Sequence, residues 1–406
     1  MTKRTGSVPR VQDRAAILAA LRNAKMARSA HCYVRGHTAK FYEWLESAAG
    51  RKLPDGPPVW ICGDCHVGNL GPVANTEGQV DIQIRDLDQT VIGNPAHDLI
   101  RLGLSLATAV RSSDLPGNTT AHMLEGMIDG YGLALVDEGE RKRLARPDAK
   151  PVRRVMQLAL RRRWKNLAKE RIENVRPTIP RGDNFWEPTR EEKRALTHLV
   201  QMPDLRRLVT SLHSRDDDAP VKLLDAAYWV KGCSSLGRLR YAVLVGVKSD
   251  KRKDIAFLDI KEAATAAAPH AADAAMPRDN AERVVEGARS LAPNLGDRML
   301  PAHLGARSVV ARELLPQDLK LEIDQLTRNE AIYAARYLAH VVGRAHARQM
   351  DDTTRRKWRS ILSHDRSKKL DAPSWLWSSV VELVGTHEVA YLEHCRRYAS
   401  PKDSRG

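Results

Sequence analysis

Asp64 and Asn69 stand five residues apart in Gly63-Asp64-Cys65-His66-Val67-Gly68-Asn69-Leu70, and Asp86 and Asp88 follow a short run in which apolar residues alternate. These residue types at this spacing suit transfer of a phosphoryl group to a hydroxyl. One carboxylate positions the attacking hydroxyl, while an Asn and an Asp hold Mg²⁺ against the phosphates. Asp88 is either a second metal ligand or an exposed carboxylate.

A second group lies 160 residues later. Lys231-Gly232-Cys233-Ser234-Ser235-Leu236-Gly237 sits between two strand-like runs. Small residues such as Gly232, Ser234, Ser235 and Gly237 let backbone N–H groups approach phosphates closely, though a tight hairpin needs the same residues. Lys261 follows the apolar run 255–260, where a lysine meets the α- and β-phosphates of a nucleotide. It is therefore both a nucleotide-binding and a catalytic candidate. Glu282 and Glu286 stand one helical turn apart, and Glu286 is the preferred partner for Lys261. His66 is expected to brace the Asp64 loop. Asp98 is expected to cap its helix or to brace the loop as well. Cys62-Gly63-Asp64-Cys65-His66 also spells C-x-x-C-H, a haem-attachment pattern. Haem needs export, and zinc needs further ligands, for which Cys32 with His31 is the nearby candidate. Plain buried thiols are the expectation.

The elements that must position these groups read as follows. Strands are expected at 59–62 and 80–84, and again at 226–230, 239–247 and 255–260, by alternation or short apolar runs. Helices are expected at 13–26, 41–49, 98–110, 121–136, 280–290, 330–348 and 374–398. Residues 151–172 form an amphipathic pattern rich in arginine. Residues 177–188 read as loop.

The chain has 406 residues, 42% of them apolar, enough for a substantial core in more than one lobe. The five cysteines suit a reducing cytoplasm better than a disulfide framework. No run of about 18 apolar residues occurs, so no membrane span is expected. The polar, basic start argues against a secretory signal. The net charge of +16 is uneven: residues 141–190 hold 16 Lys/Arg and 5 Asp/Glu, a net of +11. That segment either offers an acidic partner a docking face or forms a solvated helix face.

The order Asp64 loop, Asp86, then Asp98-Leu99 resembles aminoglycoside and choline phosphotransferases within the protein-kinase-like superfamily. The Asp-to-Asn spacing is that of a kinase catalytic loop. The resemblance implies that Asp64 is the catalytic base, that Asn69 and Asp86 bind Mg²⁺ (Mn²⁺ as an alternative), and that Asp98 is structural. With Tyr33-Val34-Arg35-Gly36, Lys261-Glu262-Ala263, Arg283-Val284-Val285-Glu286-Gly287 and Ala345-His346-Ala347-Arg348, the chain is similar to a bacterial family catalogued as domain of unknown function 2252. That similarity covers about residues 25–350. Arg85 departs from it, standing where a small polar residue is usual, and so does the tail. The implied fold is α+β, protein-kinase-like and two-lobed, with a circular permutation. Catalytic-loop elements come first and nucleotide-lobe elements follow, with a hinge at 313–321. The expected division is 1–215 for the helix-rich catalytic lobe with a basic insertion, 216–325 for the strand-rich nucleotide lobe, and 326–406 for helices returning to the catalytic lobe. The expected function is ATP- and Mg-dependent transfer to an unidentified hydroxyl acceptor. The alternatives are a nucleotide-binding pseudo-kinase or a module for an acidic partner, and transfer of AMP on the same fold.

Overall fold

The structure, a computed structural model, describes residues 9–47, 49–111, 115–136, 178–212, 215–233, 235–248, 253–315, 327–364, 366–367 and 370–398. The amphipathic stretch 151–172, most of the basic segment, Ser234 and the expected hinge beyond residue 315 lie outside them.

The N-terminal half begins with three helices, α1 (Val11–Met26), α2 (Ala30–Gly36) and α3 (Thr38–Leu45). Two small antiparallel ladders follow. β1 (Val59–Ile61) pairs with β4 (Val91–Gly93), and β2 (Leu70–Ala74) pairs with β3 (Val80–Ile84). The Asp64 loop joins β1 to β2, and the Asp86–Asp88 turn joins β3 to β4. Pairing β1 with β4 therefore brings the two acidic signatures side by side. Helices α4 (Ala96–Arg111) and α5 (Thr119–Ala134) complete this part. α4 is buried along most of its length, which its run of leucines and alanines requires.

A six-stranded antiparallel sheet forms the second part, in the order β5 (Phe185–Trp186), β6 (Val221–Trp229), β7 (Arg240–Lys248), β8 (Lys253–Glu262), β10 (Arg307–Glu313), β9 (Met299–Leu304). β7 and β8 are central and buried on both faces, so they read as nearly continuous apolar runs. Val243 and Val245 share a core with Leu196 and Leu199 of α6 (Arg190–Gln201) and Leu205 of α7 (Pro203–Thr210). Ala242 and Leu244 share another with Phe257, Trp229 and Ile179. Helix α8 (Asn280–Leu291) separates β8 from β9.

The stretch 177–188 is not all loop. Phe185 and Trp186 pair with Trp229 and Tyr228, and both pairs stack their rings, at 5.6 and 5.7 Å. Aromatic cross-strand contact thus sustains an edge strand too short to show a pattern.

Three helices close the chain: α9 (Arg328–Ala347), α10 (Asp352–Ser363) and α11 (Ser374–Tyr398). α9 packs along α5, and α11 lies on α4, so the last segment returns to the first. The overall fold is mixed helix and strand. Among the described residues no helix is long and apolar enough to cross a membrane.

Candidate active site

Asp64 is held by three layers of contacts. Its main chain is fixed first: the Asp64 carbonyl accepts the His66 N–H and the Asn69 Nδ2, both at 2.9 Å. The loop is then anchored from α4, where Asp98 accepts the Cys62 and Gly63 N–H groups at 2.7 and 3.0 Å. Asp98 therefore braces the loop and does not cap its own helix. His346 of α9 adds an Nε2 contact to Asp98 at 3.1 Å, and Gln349 brackets the Trp60 backbone in β1. Finally the carboxylate itself is set. Arg101 Nε donates to Oδ1 at 2.8 Å and the Thr38 hydroxyl to Oδ2 at 3.1 Å. Arg101 is fully buried, so Asp64 is its charge partner.

Asn69 commits Nδ2 to the loop, leaving its amide oxygen for the cavity it lines. Across that cavity stand Asp86 and Asp88. Lys261, from the sheet, meets both: its ammonium lies 3.1 Å from Asp86 Oδ1 and in contact with Asp88. Two carboxylates thus converge on one cationic point. Burial alone would raise the Asp86 carboxyl, but Lys261, Arg240 and Arg312 outweigh it and hold it below the usual carboxylate range. Burial, then the charge of Asp86, push the Asp88 carboxyl up. Oxygen donors from Asp86, Asp88 and Asn69 fit a hard cation such as Mg²⁺, with the Lys261 ammonium marking where positive charge is wanted.

Glu286 does not pair with Lys261. Glu282 and Glu286 both lie exposed on α8. Among the described residues Lys261 forms ion pairs with Asp86 and Asp88 alone. The face that α8 turns to the site carries Arg283, which donates to the Thr90 carbonyl, to the Asp88 carbonyl at 3.2 Å and to the Ala264 carbonyl at 2.9 Å. Arg283 fixes the Asp86–Asp88 turn, a role that residue spacing did not assign. Arg101, Thr38 and Gln349 were also missed; each acts across a long chain separation.

Gly232 and Gly237 have φ of +103° and +107°, a backbone region that favours glycine. Gly232 and Ser235 line a cavity of about 270 Å³ that also reaches Asn69 and Asp86. Lys25, Arg35, Arg85, Lys231, Arg240 and Arg312 supply its charge. A larger cavity, about 590 Å³, opens on the other side of Asn69 and Asp86 and contains Asp64. Tyr33, His37, Glu43, Glu393 and His394 lie along it. The two cavities meet at the residues proposed for the metal.

His66 does not brace the loop through Nδ1, which is buried without a hydrogen-bond partner. Burial lowers its pKa to about 3, so the ring is neutral. Cys62 and Cys65 are fully buried free thiols. The Cys65 hydrogen bond and then burial push the Cys62 thiol well up. The two sulfurs and an Asp98 oxygen lie within 4.8 Å of one another. With both Asp98 oxygens engaged by backbone N–H groups and the Cys62 thiol protonated, this group suits an anchor and not a haem or zinc centre.

A family model matches residues 14–397, so the tail, expected to depart from the family, falls inside the match. No curated protein and no solved structure matches the chain. By that match over most of its length, the chain belongs to the family described as "Uncharacterized protein conserved in bacteria (DUF2252)".

Proposed function

We propose that the chain is an ATP- and Mg²⁺-dependent phosphotransferase with a circularly permuted, kinase-like arrangement, acting on a hydroxyl acceptor. The single observation that carries this reading is the meeting of Lys261 with Asp86 and Asp88 beside Asp64. Lys261 and Asp86 are 175 residues apart in the chain. Further support comes from the order of the sheet elements. The glycine loop joins β6 to β7, the lysine follows on β8, and a helix comes next, as kinases order their nucleotide lobe. α9 then leads back to the Asp64 loop through His346.

In this reading the donor's phosphates lie beneath the glycine loop, with Lys261 and the cavity arginines balancing their charge. Bound Mg²⁺ would draw the phosphate oxygens together and neutralise developing charge. Asp64 faces the larger cavity, where it accepts a hydrogen bond from the acceptor hydroxyl and orients it. Arg101 and Thr38 keep the carboxylate in one orientation for that task.

The test is transfer of label from γ-labelled ATP in Mg²⁺, with α-labelled ATP in parallel. γ-label in product, lost in Asp64→Asn, supports the reading; α-label in product selects transfer of AMP. A second reading, nucleotide binding without turnover, draws on the Arg101 contact, which occupies one oxygen of the Asp64 carboxylate. Binding with no transfer in wild type would select it.

A further inference from the structure

The cavity under the glycine loop is lined by six basic side chains, Lys25, Arg35, Arg85, Lys231, Arg240 and Arg312, against one carboxylate, Asp86. The remaining lining is small or polar, and no leucine, isoleucine, valine, phenylalanine, tyrosine or tryptophan belongs to it among the described residues. Its 270 Å³ falls below the roughly 300–1,000 Å³ of mostly apolar pockets that enclose a drug-sized ligand. The adjoining apolar space, between Leu87, Val284, Leu295, Met299 and Val310, measures about 40 Å³. As lined by the described residues, neither space offers a flat apolar slot of the size a purine needs.

Four of the six cations are held in place before any ligand arrives. Buried Asp259 holds Arg240 through two contacts, at 2.8 and 2.5 Å, and reaches Arg312 at 3.1 Å. Arg240 and Lys231 both lie over the Trp229 ring, at 5.0 and 4.0 Å. Lys25 Nζ donates to the Gly232 carbonyl at 2.8 Å, which ties α1 to the glycine loop. His66, only 5% exposed, lines the same cavity with Nδ1 unpartnered. Arginine forks fixed in this way match phosphate oxygens in pairs.

We propose that this cavity recognises its ligand as a chain of phosphates, and that the base of a nucleotide contributes little to binding. The ligand class is a Mg²⁺-complexed polyphosphate, whether a nucleoside triphosphate of any base or inorganic tripolyphosphate. The inference rests on the phosphotransferase reading and sharpens its donor.

The experiment is calorimetric titration of the full chain in Mg²⁺ with ATP, GTP, CTP, inorganic tripolyphosphate and adenosine. The expected result is affinities for the four polyphosphates within about fivefold of one another, and none detected for adenosine. Lys25→Met and Arg35→Gln should each weaken all four by a similar factor, about fivefold or more, with melting temperatures recorded to confirm folding. ATP binding about thirtyfold or more tighter than both GTP and tripolyphosphate overturns the inference and leaves the phosphotransferase reading standing. Unchanged affinities in both folded variants also overturn it, because the phosphates then lie elsewhere. Failure of all four polyphosphates to bind removes the reading on which it rests.

Discussion

Asp64 and Arg101 are one unit, and this governs how the site is tested. Arg101 is fully buried with Asp64 as its charge partner. Asp64→Ala leaves that charge uncompensated, which costs about 3–5 kcal/mol. Loss of activity in that variant would mix chemistry with unfolding. Asp64→Asn keeps an acceptor for Arg101 and removes the charge proposed to orient the hydroxyl. It should lower transfer by about 10²–10⁴-fold. Its urea midpoint should stay much closer to wild type than that of the alanine variant. A second prediction concerns pH. Burial holds His66 and His387 at about 3, against 6.5 for an open chain. Above pH 6.5 both are neutral in the folded and unfolded states, and their contribution to stability is fully present. Below it the unfolded chain takes up the protons first, so stability falls as pH drops from about 6.5 toward 3. The slope is up to about 1.4 kcal/mol per pH unit for each histidine. Urea unfolding at about pH 7 and about pH 5 measures it, and His387→Gln should remove one share of the slope. An unchanged slope in that variant would show that His387 is not held neutral.

Helix α8 shows what a sequence does and does not reveal about an element. Its range was legible from periodicity, but its rotation was not. Glu282 and Glu286 stand one turn apart on the face that packing leaves to solvent, because Val284, Val285 and Ala288 take the core. Arg283 takes the site. Glu286→Gln should therefore change nucleotide affinity by less than about twofold, whereas Arg283→Gln should free the Asp86–Asp88 turn and weaken Mg-nucleotide binding by about tenfold. Titration of both variants decides between the two helix faces. The two acidic signatures, β3 and the helices α4, α9 and α11 were legible for physical reasons: alternation or long apolar runs leave little choice. β2 was missed because Leu-Gly-Pro-Val-Ala is buried throughout and does not alternate. α6 was missed although Thr189 and Glu192 form a capping box, a signal short enough to overlook in a proline-rich stretch. The α5–α9 contact illustrates a spacing no pattern predicts. A Cβ on Gly130 would lie 1.9 Å from the Arg336 carbonyl oxygen. Gly130→Ala must push α9 away, costing about 1–3 kcal/mol or more. Because α9 carries His346 against Asp98, the variant should lose activity along with thermal stability, read by circular dichroism and the transfer assay together.

The whole molecule is organised so that neither half holds a complete site. The N-terminal half presents Asp64, Asn69, Asp86 and Asp88 on loops tied by Asp98, Arg101 and Arg283. The sheet presents Lys261 and the glycine loop, and the last helices fold back to brace what came first. In the proposed kinase-like reading this closure accommodates the reversed order of elements, since a permuted chain would need its parts to meet in space and not in sequence. One contact joins the two sides of the site, where Lys261 reaches Asp86 and Asp88. The most direct measurement is calorimetric titration of ATP into wild type, Lys261→Met and Asp86→Asn, each with and without Mg²⁺. Mg²⁺-dependent binding is expected in wild type, with a loss of about tenfold or more in each variant. Absence of nucleotide binding in wild type, or binding indifferent to Mg²⁺ and to both substitutions, would contradict the phosphotransferase reading.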